Sequence, residues 1–187
     1  MTSVDDGRKR CDWAMVAEDY AEYHDSEWGV PLYGEMAMFE RLSLESFQSG
    51  LSWLIILRKR EAFREAFAGF DPGLVCDFDD FDVERLLETT GIVRNRAKIN
   101  SVVNNARKVV RLDVPLDELL WSFAPEPAGR PRVEKVGDVP STSDESKAMA
   151  KELKRRGFSF VGPTTCYALM QATGMVDDHI AGCWRAT

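Results

Sequence analysis

The chain has 187 residues, 44% of them hydrophobic, which is enough to bury the core of one compact domain over residues 1–187. No run approaches the roughly 18 to 20 apolar residues of a membrane span, and four widely separated cysteines favour a reducing compartment, so we expect a cytoplasmic protein with no membrane partner. The net charge of −7 argues against a general nucleic-acid coat protein but leaves room for local basic patches.

Helix-forming patterns dominate the chain, and we predict a mostly α fold with a flexible stretch at residues 1–9. Residues 35–70 combine good helix formers with apolar residues three and four positions apart, interrupted at Gly50 and at residues 69–72. Residues 124–140 are rich in proline and glycine and predict a loop. The helix that follows has candidate N-caps at Ser141, Thr142 and Ser143, and it ends on basic residues before Gly157. Residues 158–162 are the one stretch that suggests a short strand.

Residues 82–112 predict two helices joined by a short basic turn around residues 91–95. The second helix places on one face the apolar residues Ile99, Val102, Val103, Ala106 and Val110. Backbone N–H groups at the start of this helix can bind a phosphate, with Arg94, Arg96 and Lys98 adding positive charge. A charged turn is more often simply solvated, so the pattern alone favours DNA binding only weakly.

Both histidines of the chain and two of its cysteines form a possible metal-binding set. His179 and Cys183 are four residues apart, so on a helical turn their side chains would face one point, and Cys11 and His24 lie near the other end of the chain. Together they supply the Cys₂His₂ set that structural zinc prefers, with no open position left for water. Such an ion would tie residues 11–24 to residues 179–183. The alternative is a core or N-cap histidine beside a small buried cysteine.

Seven motifs occur in the same order as in one known family. They are RCDW, YHDSEWGVP, GLSW, GIVRNRAKI, PSTS, KRRGFSFVGPTTCY and DDHIAGC, and they run from Arg10 to Cys183. With these motifs the chain resembles the 3-methyladenine DNA glycosylase I family of the helix-hairpin-helix superfamily. The resemblance implies a helix-hairpin-helix glycosylase fold whose two chain ends are joined by a structural Zn²⁺ on the four residues just named.

The same resemblance implies an activity. It is that of a monofunctional glycosylase, which flips N3-methylated adenine out of double-stranded DNA and releases free 3-methyladenine without an AP-lyase step, as part of base excision repair. We expect the protein to act as a monomer.

A glycosylase holds a flipped base by stacking and by hydrogen bonds to the edge of the base. Aromatic residues suited to stacking occur in two short segments, and they are Trp13, Tyr20, Tyr23, Trp28 and Trp53. A positively charged methylated base also favours a carboxylate. The resemblance places the family's base-binding glutamate at Glu45 and its stacking tryptophan at Trp53, with Trp13 and Tyr23 also lining the pocket. The alternatives are that each aromatic residue is part of the core and that Glu45 lies on a solvated helix face.

Three further features concern DNA contact. Gly50 and Leu51 resemble the small plug that fills the gap left by the flipped base. Gly91 opens the turn of the hairpin, and the basic residues 58–60 extend the positively charged face.

The chain departs from the family pattern at a few positions. Ala97 stands where the hairpin turn usually has a glycine, and Ser46 and Phe47 stand where the best-known members have a glycine and a polar residue. The aspartate with which many relatives support cleavage has no obvious counterpart, since Asp138 and Asp144 lie in ordinary loop and N-cap contexts. A dedicated general base is not required, because a methylated base leaves as a neutral molecule.

Two other functions remain open at the level of the sequence. One is a glycosylase for other alkylated purines, which excision assays on several lesions would separate. The other is a non-catalytic, zinc-stabilised DNA-binding module, which would bind DNA without releasing a base.

Overall fold

Helices account for the regular structure of this chain, as the sequence patterns predict. The structure is a computed structural model that describes residues 6–126 and 132–186. In these residues it contains the helices α1 (Glu18–Ser26), α2 (Glu35–Gln48), α3 (Trp53–Ala66), α4 (Pro72–Val75), α5 (Asp80–Glu88), α6 (Arg96–Val109), α7 (Leu116–Trp121), α8 (Asp144–Arg155) and α9 (Pro163–Ala172), with 3₁₀ turns at Asp12–Val16, Ala68–Phe70 and Val136–Asp138. The described ranges contain no strand, and no helix in them is long and apolar enough to cross a membrane. The mostly α fold is therefore confirmed.

Helix α2 lies at the centre of the fold. It packs against α3, α6, α7 and α9. Five of its apolar side chains are fully buried, namely Met38, Phe39, Leu42, Leu44 and Phe47. A helix surrounded in this way buries its polar side chains as well, and this environment decides the chemistry of Glu45.

Local signals fix several helix ends where the sequence predicts them. α2 ends and α3 begins on either side of Gly50, whose φ of +81° lies in the left-handed region that glycine adopts without strain. α8 begins after Ser143, which exchanges capping hydrogen bonds with Ser146. α5 begins at Asp80 because Asp79 caps the N–H groups of the first turn.

The two helices joined by a basic turn are α5 and α6. Asn95 caps α6 by accepting a hydrogen bond of 3.1 Å from the backbone N–H of Lys98. The turn between them lies directly on α3, because a Cβ atom at Gly91 would stand only 2.7 Å from the Cβ atom of Ala62. A glycine at this position therefore allows the turn to approach α3.

The strand expected at residues 158–162 is wrong. The segment is a loop in which the side chain of Asn105 accepts from the backbone N–H of Ser159 (2.8 Å) and donates to its carbonyl (3.0 Å). Phe160 also has a φ of +55°, which interrupts any extended run. These side-chain bonds replace the ladder that a strand would need.

The N- and C-terminal parts of the chain lie side by side. Trp184 donates its backbone N–H to the carbonyl of Lys9 over 2.8 Å, and Arg10 is buried between Asp6 and Asp25. Residues 6–9, for which we expected flexibility, thus make defined contacts, and residues 1–5 lie outside the described part of the chain. Gly174 sits within 2.9 Å of the backbone of residues 29–31, measured from the position a Cβ atom would take. The predicted metal ligands Cys11, His24 and Cys183 come together where these two ends of the chain meet.

Candidate active site

The structure encloses a cavity of about 340 Å³ between the N-terminal segment, α2, α3, α9 and the C-terminal segment. Its wall contains all five aromatic residues proposed for base stacking and also Glu45, namely Trp13, Tyr20, Tyr23, Trp28, Trp53 and Glu45. The volume is at the small end of the range for ligand pockets and suits a single purine base. Residues far apart in sequence have therefore converged on one cavity.

The aromatic rings form a continuous wall. The ring centroids of Trp13 and Tyr20 are 4.7 Å apart, those of Tyr20 and Tyr23 are 6.3 Å apart, and those of Tyr23 and Trp53 are 5.6 Å apart. Tyr23 and Trp53 are also buried in the main core, while Trp13, Tyr20 and Trp28 are half-buried. The same aromatic side chains therefore both pack in or against the core and line the cavity. Their π faces offer stacking surfaces for a flat base.

Glu45 is a buried carboxylate on α2. It is only 5% exposed, so it does not lie on a solvated helix face. Burial raises the pKa of Glu45 to about 7, and the positive charge of Arg41 opposes this shift. Among the described residues, no group donates a hydrogen bond to its carboxylate. A ligand that enters the cavity with N–H donors or positive charge would therefore find an acceptor with free lone pairs.

Two charged residues, one behind the cavity wall and one in it, were not anticipated from the sequence. Arg41 is buried on α2 one helical turn before Glu45, and helix spacing could have indicated it. Asp178 lines the cavity and accepts hydrogen bonds from the Tyr167 hydroxyl (2.6 Å) and from the Gln171 amide (2.9 Å). Asp178 therefore has protein partners, in contrast to Glu45.

The predicted plug lies in the loop between α2 and α3. Gly50 and Leu51 are exposed, and Leu51 is one of the large apolar side chains on the surface. Lys98 holds the base of this loop, because its buried ammonium group donates hydrogen bonds to the carbonyls of Phe47 and Ser49. The structure thus places Lys98 inside the protein, under the plug, and not on the exposed face of the basic turn.

The other predicted basic residues differ in whether an acidic side chain pairs with them. Arg94 is exposed in the turn, and Arg96 is exposed but forms an ion pair of 2.8 Å with Glu84. Of residues 58–60, Arg58 and Arg60 form ion pairs with Asp19 and Glu27, whereas Lys59 donates to the carbonyl of Gly91 and keeps its positive charge. Ion pairs that join separate helices cannot be read from one stretch of sequence.

Three of the four predicted metal ligands cluster tightly. The ligand atoms of Cys11, His24 and Cys183 lie within 4.8 Å of one another, and all three residues are buried. The Sγ atom of Cys183 is 3.4 Å from Nε2 of His24. The rings of His24 and His179 have centroids 5.0 Å apart, which brings the fourth residue next to the cluster.

The surroundings of both histidines suit metal binding. Nδ1 of His24 is 2.8 Å from Asp25, and Nδ1 of His179 is 2.9 Å from Asp177, so each Nε2 atom is left for another partner. Nε2 of His179 is buried and has no hydrogen-bond partner among the described residues. Burial lowers the pKa of both imidazoles and favours the neutral form that binds metals. The donor set and this unpaired atom fit a tetrahedral ion.

The backbone around the second pair differs from our expectation. His179 and Cys183 do not lie on an α-helix but on an extended segment followed by a turn, in which the N–H of Cys183 donates to the carbonyl of Ile180 over 2.9 Å. A helical turn was the wrong basis for bringing these side chains together. The turn at Gly182, with a φ of +80°, does so instead.

Comparison with known proteins agrees with the fold and the cavity. The family model described as Methyladenine glycosylase matches residues 13–186. The chain belongs to the methyladenine glycosylase family. DNA-3-methyladenine glycosylase 1 of Escherichia coli is 41% identical over 178 residues, which cover 94% of this chain and 95% of that protein.

Solved structures of the family share the same fold. A crystal structure of a 3-methyladenine DNA glycosylase I has a TM-score of 0.90 at 42% identity, with 96% of this chain and 100% of that chain covered. The enzyme from Staphylococcus aureus, whose structure describes the basis of 3-methyladenine recognition, has a TM-score of 0.87 at 35% identity, with 95% and 96% covered. The family likeness thus extends over nearly the whole molecule.

The buried carboxylate predicts an unusual pH dependence of stability for this family member. Because the pKa of Glu45 is raised from 4.5 to about 7 in the folded state, its contribution to stability is largest below about pH 4.5 and is lost as the pH rises to 7. Glu45→Gln cannot ionise and escapes this loss. Relative to the wild type, the variant should gain about 3 kcal/mol of unfolding free energy between pH 4.5 and pH 8.

Urea unfolding at several pH values measures this difference. The control is Glu65→Gln, the same substitution at an exposed position of α3, whose pH dependence should follow the wild type. Parallel curves for Glu45→Gln and the wild type from pH 4.5 to pH 8 would contradict the burial of the Glu45 charge.

Proposed function

We propose that this protein is a monofunctional DNA-3-methyladenine glycosylase of base excision repair, acting in the cytoplasm as a monomer. It flips an N3-methylated adenine out of double-stranded DNA, hydrolyses the bond between the base and the deoxyribose, and releases free 3-methyladenine. The observation that carries this proposal is the aromatic cavity with the buried carboxylate of Glu45 in its wall. The names of the E. coli and S. aureus relatives support the choice of substrate.

Charge explains how the cavity would distinguish damaged from ordinary adenine. Methylation at N3 gives the base of the nucleotide a positive charge, which π faces and an ionised carboxylate stabilise. Ordinary adenine lacks this charge and gains only stacking. Because Glu45 accepts no hydrogen bond from the described protein residues, its full acceptor capacity is available to the edge of the base.

The hydrolysis needs little chemical assistance. When the C1′–N9 bond breaks, its electron pair moves to N9 and the methylated base leaves as a neutral molecule. The oxygen of a water molecule then bonds to C1′, and the proton it loses passes to solvent. Asp144 lies on the surface, with a side chain 94% exposed, and Asp178 is engaged by protein donors. We therefore assign the rate enhancement to binding, orientation and desolvation of the flipped nucleotide.

The excision reaction tests this function directly. Wild-type protein should release 3-methyladenine from methylated duplex DNA, and Glu45→Gln should lower the single-turnover rate about 10- to 150-fold, since a charge-assisted hydrogen bond in a sheltered site is worth about 1.5 to 3 kcal/mol. Chromatography of the released bases measures the rate and separates 3-methyladenine from other alkylated purines.

Glu65→Gln is the matched control for this assay and should excise at the wild-type rate. Binding of methylated DNA by the wild type without any released base would contradict the proposal and would favour the non-catalytic module. Equal rates for Glu45→Gln and the wild type would instead remove Glu45 from the site.

The DNA-binding surface that we propose is the helix-hairpin-helix formed by α5, the turn and α6. The N–H groups of Arg96 and Ala97, at the start of α6, have no carbonyl partners within the helix and can bind a phosphate, whereas the N–H of Lys98 is capped by Asn95. Arg94 lies in this turn and is exposed. The loop of Gly50 and Leu51 is joined to the same unit by Lys98, so plug and phosphate site would keep a fixed spacing.

Salt dependence should reveal this contact. Arg94→Ala is expected to weaken binding of undamaged and methylated duplexes alike, and to reduce the slope of log K against log salt by about one, because one phosphate contact is lost. Arg96→Ala should have a smaller effect, since Glu84 already pairs with its guanidinium group. Titrations by fluorescence anisotropy at several salt concentrations measure both.

Arg111→Ala provides the control. Arg111 is also exposed, but it lies beyond the opposite end of α6, about 20 Å from the turn at the helical rise per residue. If Arg111→Ala and Arg94→Ala changed the salt slope equally, the hairpin would not be the site of contact.

We further propose that Cys11, His24, His179 and Cys183 hold a structural Zn²⁺. When bound, such an ion supplies a crosslink between the two ends of the chain and leaves no position for a reacting water. The cluster backs directly onto the cavity, with centroid distances of 5.3 Å between the rings of Trp13 and His24 and 4.6 Å between those of Trp28 and His179. Its role would thus include holding part of the aromatic wall in place.

Metal analysis of purified protein tests this site. We expect one zinc per chain, and His179→Ala should lower both the zinc content and the thermal midpoint, because metal binding and folding are coupled. Cys76→Ser, outside the cluster, should change neither. Absence of zinc from the wild type, together with an unchanged midpoint for Cys11→Ser, would contradict the proposal.

A further inference from the structure

A buried arginine lies behind the wall of the cavity. Arg41 is 7% exposed, and its guanidinium carbon is 5.4 Å from the centroid of the Tyr23 ring and 5.3 Å from that of Trp53. It also borders a second, smaller cavity of about 140 Å³ on its other side. The stacking residues are therefore backed by a positive charge, which a simple aromatic floor would not require.

The hydrogen bonds of Arg41 point toward the cavity more than toward its acidic neighbour. Its NH1 group donates to the hydroxyl of Tyr23 over 2.9 Å, while its NH2 group is 3.4 Å from Glu27. Glu27 already receives two donors from Arg60, one of them at 2.8 Å. Arg41 is thus not needed to neutralise Glu27, and its closest bond is to a residue of the cavity wall.

The hydrogen bond from Arg41 determines where the hydroxyl hydrogen of Tyr23 can point. A tyrosine hydroxyl has one hydrogen to donate and accepts through its lone pairs. Because Arg41 donates to this oxygen, the phenolic hydrogen must point elsewhere. Tyr23 can then offer this hydrogen to an acceptor on a base bound in the cavity.

The charges around Glu45 make Arg41 the group that favours its ionised form. Tyr20 and Tyr23 face Glu45 from α1 and are neutral, because burial raises the pKa of both phenols. Arg41 faces it from α2 itself, and its positive charge acts against the burial that raises the pKa of Glu45. From the C-terminal segment, Asp178 lines the same cavity and is bonded to other residues.

We propose that Arg41 is a positioning residue for base removal, which favours the ionised form of Glu45 in the sheltered cavity and holds the Tyr23 hydroxyl with its hydrogen free to donate. This inference rests on the proposed glycosylase function for its kinetic test but not for its test by stability. Arg41 does not line the cavity, so it acts through its two neighbours, Tyr23 and Glu45.

Two substitutions separate charge from hydrogen bonding. Arg41→Gln removes the charge but keeps an amide donor, whereas Arg41→Lys keeps the charge. Arg60→Gln is the matched control, because Arg60 pairs with Glu27 and is not in contact with the Tyr23 hydroxyl. The quantity to measure is kcat/KM for 3-methyladenine release from pH 5.5 to 9, which reports the ionisation of the free enzyme.

The expected result is a shift along the pH axis. Loss of a neighbouring positive charge should move the midpoint of the rising limb upward by at least about one pH unit in Arg41→Gln, with a rate about five-fold below wild type at pH 7 that recovers toward pH 9. Arg41→Lys and Arg60→Gln should keep the wild-type midpoint. An unshifted midpoint in Arg41→Gln, or an equal shift in Arg41→Lys or Arg60→Gln, would overturn the inference.

A second measurement is independent of activity. Urea unfolding from pH 4.5 to pH 8 should show a larger loss of stability with rising pH in Arg41→Gln than in the wild type, and this excess should vanish when Glu45→Gln is added. If the wild type released no base while this coupling was present, the proposed function would fail and the pairing of Arg41 with Glu45 would stand. If Arg41→Gln did not fold, a shifted midpoint in Arg41→Lys alone would still contradict the inference.

Discussion

The chemistry of this molecule depends on one unfavourable burial, that of the Glu45 carboxylate. A carboxylate that is 5% exposed and has a pKa raised to about 7 is costly to ionise in the folded protein. We propose that this cost is recovered when a ligand brings positive charge and N–H donors into the cavity. The same residue therefore lowers the stability of the empty protein near neutral pH, and in the function we propose it provides selectivity for a methylated base.

The fold is arranged so that this burial can be tolerated. Glu45 lies on α2, which packs against four other helices. The aromatic wall is backed by Arg41 on one side and by the Cys–His cluster on the other. On the outer side, Lys98 joins the loop of Gly50 and Leu51 to the start of α6. The cavity, the loop of Gly50 and Leu51, and the basic turn are thus joined through the packed core, and this connection suits the base flipping that we propose.

Features that depend on a few neighbouring residues, such as helix ends, are the ones best predicted from the sequence. The break at Gly50 is confirmed, and one of the three candidate caps, Ser143, is the N-cap of α8. The convergence of the aromatic residues on one cavity was expected only through the family resemblance. The burial of Lys98 could not be predicted from the neighbouring sequence. Its hydrogen-bond partners lie about 50 residues away along the chain, and a basic residue in a turn is normally solvated. Arg41 lies four residues before Glu45 on α2, and only helix spacing counted from Glu45, and not the pattern of apolar residues, points to it.

The most direct test of this account is the ionisation of Glu45 itself. Carbon-13 NMR of glutamate carboxyl groups, with Glu45→Gln used to assign the signal, measures its titration with and without free 3-methyladenine. We expect a midpoint near pH 7 in the empty protein and a lower midpoint when the base is bound, because hydrogen bonds to the carboxylate favour its ionised form. A midpoint near the ordinary value of 4.5 that does not respond to the base would contradict the account.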